Sequence, residues 1–435
     1  MDQPRRLAVQ LLQRSEENGY ANLLLKSALD KCPLDARDKQ FVSVLVYGTL
    51  EKQYTLDALL NLYLKKPVQK LDSSVRAILR CGLYQCRYLD SVPVYAAVNA
   101  AVELTRKCGK SSAAGMVNAV LRKAAVADEK LLTFTDEIDR LSVSYNASPS
   151  IVAMLCQAYP QKAEAILSEF SGACPVFIRV NTLRVTPDEL CRQLKQQGVE
   201  AEECGYSGAL RILNGDFLHT PAFVGGLFHI QGLASQAAAN AVVAKPGEKV
   251  LDLCCAPGGK SLTMAYAMQG KGKLFCRELQ PARLPLIEKQ LQRCGVTNAE
   301  ICRGDATVFE PALAGADAVL CDVPCSGTGT LSKKPDIRFK NIDETREALV
   351  RTQLAILENA ARYPKPGGRL IYSTCSLDPA ENIGVVSRFL AAHTDYTPVE
   401  LSLPQFTCIK RDNTLTLLPE NGKNDGFFIA KLIKV

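Results

Sequence analysis

Lys249-Val-Leu-Asp-Leu-Cys-Cys-Ala-Pro-Gly-Gly-Lys260 is the stretch whose reading decides the fold. It opens as a short apolar strand, passes through a loop with two glycines, and turns into a helical pattern at Lys260. An α/β domain builds a ligand site in this way, at the carboxyl end of its first strand. Strand and helix patterns then alternate. Strands are predicted at 250–253, 274–277, 299–302, 318–321 and 369–373, and helices after Lys260 and over 281–293, 343–362 and 379–391. The run Phe427–Ile433 predicts an added antiparallel edge strand. The alternation predicts a mostly parallel sheet, and hence a Rossmann-like domain over 234–435.

Upstream the pattern changes. Residues 1–140 carry helical periodicity with few β signals, which predicts an all-α domain. In Leu71–Cys86, Asp72 is placed to cap a helix whose Val75, Leu79, Leu83 and Cys86 share one face. Pro93 opens another helix, and Ser111 or Ser112 is placed to cap a third. Arg122 and Lys123 end that helix as dipole complements or as phosphate contacts. The acidic stretch 125–145 reads as a linker. Residues 146–233 read as a small α+β domain: a strand at Val176–Asn181, a helix capped by Thr186 with Pro187 at its first position, and strands near Leu210 and Phe228. Arg179 and Asn181 are either RNA contacts or exposed strand positions.

The chain has 435 residues, 47% hydrophobic and 22% charged, which excludes global disorder. No apolar run approaches the ~20 residues of a membrane span. Met1–Arg6 lacks the charged-then-apolar pattern of a secretory signal, so a cytoplasmic protein without membrane attachment is expected. The 17 cysteines then read mostly as small buried hydrophobes in a reducing compartment. Three histidines lie far apart and no Cys-x-x-Cys occurs, so no metal is expected. The net charge is +7; residues 1–145 hold 21 Lys+Arg against 16 Asp+Glu, so five of the seven excess charges sit there. A polyanionic partner fits that excess, and so does a solvated helical surface.

The loop Cys254-Cys-Ala-Pro-Gly-Gly-Lys260 is not G-x-G-x-x-G, so it lacks the fingerprint that cradles a pyrophosphate. This disfavours a nucleotide-dependent oxidoreductase. It suits S-adenosylmethionine, which has no phosphate. Gly258 and Gly259 admit close backbone approach, and the helix start offers N–H groups to a carboxylate. Glu278, Asp305 and Asp322 follow the second, third and fourth strands, where the first can accept from ribose hydroxyls and the second can meet an adenine edge. Asp322-Val-Pro-Cys-Ser-Gly-Thr-Gly329 and Tyr372-Ser-Thr-Cys-Ser376 each place a cysteine just past a strand of the same sheet. A thiolate there can add to carbon 6 of a pyrimidine, making carbon 5 nucleophilic enough to take a methyl group. A second cysteine can assist release, and an acidic group beside the ring can stabilise its nitrogen-3 side. The residues themselves do not say which cysteine attacks.

Together the three motifs resemble those of the RNA cytosine-5 methyltransferases of the NOL1/NOP2/Sun family, over about 150–435, and Gly115–Arg122 lies in a front region similar to the NusB-like RNA-binding domain. The resemblance implies S-adenosylmethionine as cofactor, held by Cys254, Cys255, Ala256, Pro257, Gly258, Gly259, Lys260, Glu278, Asp305 and Asp322. It implies Cys375 as nucleophile, Cys325 as the releasing group, and Asp322 and Lys260 at the reacting pair. It implies a cytosine of 16S ribosomal RNA as substrate, in an unassembled or partly assembled small subunit, with the enzyme acting as a monomer. Lys334–Arg338 resembles a segment that borders the RNA. Glu278 stands where many relatives have Asp, Val323 where Ala is common, and Phe177 near a position where relatives often carry Trp. Alternative readings are the same chemistry on transfer RNA, and an RNA-binding assembly factor without catalysis.

Overall fold

The computed structural model describes residues 3–18, 21–172, 174–420 and 424–435. The chain divides into two compact units, one of residues 1–156 with 334–341, the other of residues 157–333 with 342–435.

The first unit is helical, with helices that include Gln3–Asn18, Ala36–Glu51, Gln53–Asn61, Ser73–Tyr88, Val94–Lys107 and Ala114–Ala125. Their apolar stripes close one core in which Leu45, Leu59, Leu79, Leu83, Val117 and Leu121 are fully buried. Asp72 caps its helix by accepting from Ser74 N–H at 3.0 Å. The expected serine cap at Ser111 or Ser112 is absent: those residues form a 3-10 turn, and the helix starts at Ala114 without a side-chain cap. The stretch read as a linker is folded. Asp136 caps a helix over Glu137–Tyr145, and Asn146, in the left-handed conformation, accepts from Tyr54 N–H at 3.0 Å. The acidic cluster is therefore a cap and a first helical turn. Residues 334–341 belong to this unit too: Ile337 and Arg338 are buried, and Phe339 stacks on Tyr54 at 6.0 Å. Of the Lys334–Arg338 stretch expected to border RNA, these two side chains are thus spent on packing.

The second unit contains two sheets. In the smaller, β1 (Val176–Val180), β2 (Glu200–Glu203), β3 (Ala209–Asn214) and β4 (Phe228–Ile230) pair antiparallel in the order β2-β3-β1-β4. The helix Pro187–Gln196 starts at Thr186, whose Oγ1 accepts from Glu189 N–H at 3.3 Å. Asn181 is neither exposed nor an RNA contact. It is fully buried, and its amide donates to the carbonyls of Gly226 and Cys294 at 2.8 Å each. Phe177 fills the adjoining core.

The larger sheet comprises β5 (Lys249–Asp252), β6 (Lys273–Glu278), β7 (Ala299–Arg303), β8 (Ala316–Asp322), β9 (Pro364–Thr374), β10 (Tyr396–Pro398), β11 (Cys408–Arg411), β12 (Thr414–Leu417) and β13 (Phe427–Lys434). The order is β11-β12-β13-β9-β8-β5-β6-β7, with β10 on β13. Strands β5 to β9 pair parallel, and the remaining pairs are antiparallel. The expected edge strand β13 is an interior one, because the β11–β12 hairpin adds outside it. Asp412 and Asn413 both have positive φ, as a tight two-residue hairpin turn requires. The order reverses at β5, between β6 and β8, and such a switch point opens a crevice at the strands' carboxyl ends.

In the helical unit Arg80 is buried and donates to both carboxylate oxygens of Asp57, at 2.7 and 2.6 Å, and also reaches Glu16. Removing one partner of a buried pair strands the other charge. Asp57→Ala is expected to destabilise this unit by about 3–5 kcal/mol. Urea unfolding followed by far-ultraviolet circular dichroism checks this; a shift below about 1 kcal/mol would refute it.

Candidate active site

Every element of the site comes from the switch-point crevice. After β5 the chain makes a turn in which Cys255 N–H bonds Arg277 O of β6 at 2.9 Å. Gly258, at φ +102°, then starts the helix Gly259–Ala267. A side chain at that φ would be strained, so glycine is required there. No side chain caps this helix, so its first N–H groups are available to an anionic group. Glu278 ends β6, buried, with Oε1 accepting from Gln280 N–H at 2.8 Å. Asp305 follows β7 and is exposed. Its Oδ1 accepts from the N–H and Oγ1 of Thr307 at 2.9 and 2.7 Å, and these bonds hold its carboxyl below the ordinary range. In both acids one oxygen is engaged locally and the second is left as an acceptor.

Asp322 ends β8. Its Oδ2 accepts from Lys260 Nζ at 2.7 Å and its Oδ1 from Ser373 Oγ at 2.9 Å. Ser373 is its registered partner on β9. The Lys260 ammonium also lies over the Phe427 ring, 5.1 Å from the centroid. Burial works to lower the Lys260 pKa, but Asp322, then Cys375 and Asp252, more than offset it and hold the ammonium charged.

Beyond these strand ends lie the two cysteines. Cys325 Sγ and Cys375 Sγ are 3.3 Å apart, a hydrogen-bonding distance well beyond a disulfide bond of about 2.05 Å. The bond to Cys375 and then burial, with Glu381 and Asp322 nearby, push the Cys325 thiol well up, so Cys325 keeps its proton. Gly329 N–H bonds Cys375 O at 2.9 Å and Gly426 N–H bonds Gly329 O at 2.8 Å. A Cβ on Gly329 would lie 2.1 Å from Gly426 O, so this approach excludes any larger residue. Cys254 and Cys255 differ in kind. Burial raises the Cys254 thiol, while its contact with Cys276 and burial raise Cys255. Both are small, protonated lining groups, and their backbone shapes the loop.

Three comparisons bear on this site. Residues 239–433 match the family model described as 16S rRNA methyltransferase RsmB/F, residues 2–126 match the NusB family, and residues 150–215 match the ferredoxin-like domain of RsmF/B-like methyltransferases. A probable ribosomal RNA small subunit methyltransferase B from Synechocystis is 33% identical over 99% of this chain and 99% of its own. One from Bacillus subtilis is 34% identical over 99% and 98%. The chain belongs to the ribosomal RNA small subunit methyltransferase B family. Among solved structures, PH0851 aligns over 100% of this chain and 99% of its own with a TM-score of 0.80 at 25% identity. A methyltransferase homologue from Pyrococcus horikoshii aligns over 69% of this chain and 100% of its own, with a TM-score of 0.62 at 26% identity. The three-part architecture is that of the family: a NusB-like helical domain, a ferredoxin-like domain and a Rossmann-like methyltransferase domain. The enzyme is a methyltransferase dependent on S-adenosylmethionine.

The residues fit that cofactor. The uncapped helix start suits its carboxylate, and Glu278 Oε2 is placed at a strand end where a ribose diol is accepted. Sequence reasoning missed four groups in this family member's site: Ser373, Phe427, Glu381 and Asp252. Asp252 is fully buried, with Oδ2 accepting from Ser261 Oγ at 2.6 Å and Oδ1 without a hydrogen-bond partner among the described residues. A buried unpaired carboxylate oxygen is costly, and protonation relieves it. Burial, together with the Asp322 charge, pushes the Asp252 carboxyl from 3.8 up to about 7.

A carboxyl raised in the folded state contributes stability that is fully present below about 3.8 and is lost as pH rises through about 7. Asp252→Asn has no such proton to lose. The stability of the wild type relative to Asp252→Asn is therefore expected to fall across that window and to level off above it. Thermal melts of both proteins across pH check this, and parallel profiles would refute it.

Proposed function

We propose that the chain transfers a methyl group from S-adenosylmethionine to carbon 5 of a cytosine in 16S ribosomal RNA, through a covalent cysteine–cytosine adduct. The observation that carries this reading is the pair of thiols 3.3 Å apart, beside a lysine–aspartate pair, at the cofactor crevice. A methyltransferase acting on oxygen or nitrogen has no use for two thiols there; carbon 5 of cytosine, barely nucleophilic by itself, does. The names of the relatives supply the RNA class.

In this reading the Cys375 thiolate, favoured by the Lys260 ammonium, adds to carbon 6, and the ring electrons move toward carbon 5. Asp322 and Lys260 stabilise the nitrogen-3 side and the developing charge. When bound, the cofactor supplies the electrophilic methyl group that carbon 5 takes. Once its own thiol proton has passed to water, the Cys325 thiolate takes the carbon-5 proton, the double bond re-forms between carbons 5 and 6, and Cys375 leaves as a thiolate. The loop Cys254-Cys255-Ala256-Pro257-Gly258-Gly259, with Glu278 and Asp305, holds the cofactor. A base in a helix cannot reach both sulfurs, so the cytosine leaves its stack, as it can in an unassembled or partly assembled subunit. The helical unit adds affinity through phosphate contacts, and the enzyme works as a cytoplasmic monomer.

Labelled methyl donor and 16S RNA, with proteins resolved on a denaturing gel, test the assignment. Cys375→Ala is expected to give neither adduct nor product, with a rate loss of at least roughly 10³-fold. Cys325→Ala is expected to accumulate a protein–RNA adduct that resolves slowly. The reverse pattern would exchange the two roles. Methylation of transfer RNA in place of 16S RNA by the wild type would overturn the substrate.

A further inference from the structure

Six residues beyond Cys375, in the turn before the helix Ile383–Ala392, lies Glu381, a carboxylate only 1% exposed. Its neighbours are donors drawn from both cysteine loops. Oε2 accepts from Ser326 N–H at 2.8 Å and from Gln353 Nε2 at 2.8 Å. Oε1 accepts from Ser376 Oγ at 2.8 Å and from Ser326 Oγ. Ser326 follows Cys325 and Ser376 follows Cys375. Gln353 Nε2 also donates to Pro324 O at 2.9 Å, on the other side of Cys325. The backbone of Glu381 is fixed in turn: Tyr372 OH donates to its carbonyl at 2.6 Å, from the strand that delivers Cys375. The two hydroxyls are 3.0 Å apart.

Among the described residues no ion pair neutralises this carboxylate; four hydrogen bonds satisfy it. Burying a charge in this way is costly unless it is fully hydrogen-bonded, and here every bond runs to a residue flanking, or holding, one of the two cysteines. We infer that Glu381 is the positioning residue of the dithiol centre, tying the loop that carries Cys325 to the loop that carries Cys375 so that both sulfurs face one cytosine. The contact geometry stands without the proposed reaction; its consequence for catalysis rests on that reading. A shift of about 1 Å between the loops would leave attack by one sulfur possible and misplace the other for release.

Two substitutions separate position from fold. In Glu381→Gln, the amide NH₂ can face the two serine hydroxyls, which reverse and accept, while the amide oxygen keeps Ser326 N–H and Gln353. The network keeps its shape without the charge. In Ser376→Ala, the arm to the Cys375 loop is deleted and the carboxylate stays. The first readout needs no RNA: diamide, which takes up both thiol hydrogens, oxidises the Cys325–Cys375 pair to a disulfide that peptide mass spectrometry counts. Wild type and Glu381→Gln are expected to cross-link within about twofold of each other. Glu381→Ala and Ser376→Ala are expected to cross-link at least roughly fivefold more slowly, with S-adenosylmethionine affinity unchanged by titration. The second readout is turnover. Glu381→Ala is expected to lower kcat with the KM for the methyl donor unchanged and to accumulate adduct, and Glu381→Gln to restore release. If Glu381→Ala fails to fold, Ser376→Ala decides. Wild-type cross-linking rates in Glu381→Ala or Ser376→Ala overturn the inference even if methyl transfer proceeds as proposed. Slowed cross-linking in a protein that methylates no RNA keeps the inference and overturns the reaction.

Discussion

The Lys260–Asp322 ion pair is the contact on which the crevice depends. Lys260 starts the helix after β5, and Asp322 ends β8, so one bond joins the glycine loop to the first cysteine loop. Both groups lie largely out of water, and a pair in that setting holds only if further bonds satisfy it. Ser373 supplies one to Asp322, and the Phe427 ring faces the ammonium. Ser373 and Phe427 come from β9 and β13, whose pairing places Phe428 opposite Thr374, one residue from Cys375. The ion pair therefore closes only when the parallel half of the sheet and its antiparallel extension are both in register.

What could be read in advance follows from where each feature is encoded. The five parallel strands, the glycine loop and the cysteine-bearing turns carry short-range signals, and they appear where their patterns put them. Register is not a short-range signal. That Asp322 faces Ser373 depends on how β8 slides against β9, which neither segment specifies alone. Glu381 is the clearest loss. Glu381 falls in the stretch predicted as helix 379–391, but the helix starts at Ile383, and in the turn Asp378–Asn382 its carboxylate is buried where the Cys325 and Cys375 loops close over it. Asn181 fails for the same reason: a polar residue at a strand end reads as exposed, yet tertiary contact turns its amide into a bridge to two carbonyls. In the hairpin Cys408–Leu417 the Asp412-Asn413 pair did carry a turn signal, and reading it would have placed β13 inside the sheet.

The helical unit shows how charge was easier to count than to assign. Five excess positive charges lie in residues 1–145, but individual cations there have internal uses. Arg80 is committed to Asp57 and Glu16, Arg76 to Glu16, and Arg87 to backbone carbonyls and Glu129. The surface open to phosphate is therefore narrower than the sequence total suggests.

Two identical side chains 3.3 Å apart need an asymmetry before they can play different parts. Like charges this close cannot both form, so at most one sulfur is ionised at a time, and the surroundings decide which. Lys260 places positive charge toward Cys375, while Glu381 and Asp322 place negative charge toward Cys325. Both influences act in the same sense, favouring a proton on Cys325 over one on Cys375. In the proposed reaction this order suits each step. Cys375 enters as the thiolate, and its consumption by carbon 6 removes the negative neighbour that had kept Cys325 protonated. Losing that neighbour removes one of the influences that hold the Cys325 proton, so its release to water, which the base step requires, is easier once the adduct has formed. In that reading the pair's electrostatics favour the order of attack, methyl transfer and release while the loops stay where Glu381 holds them.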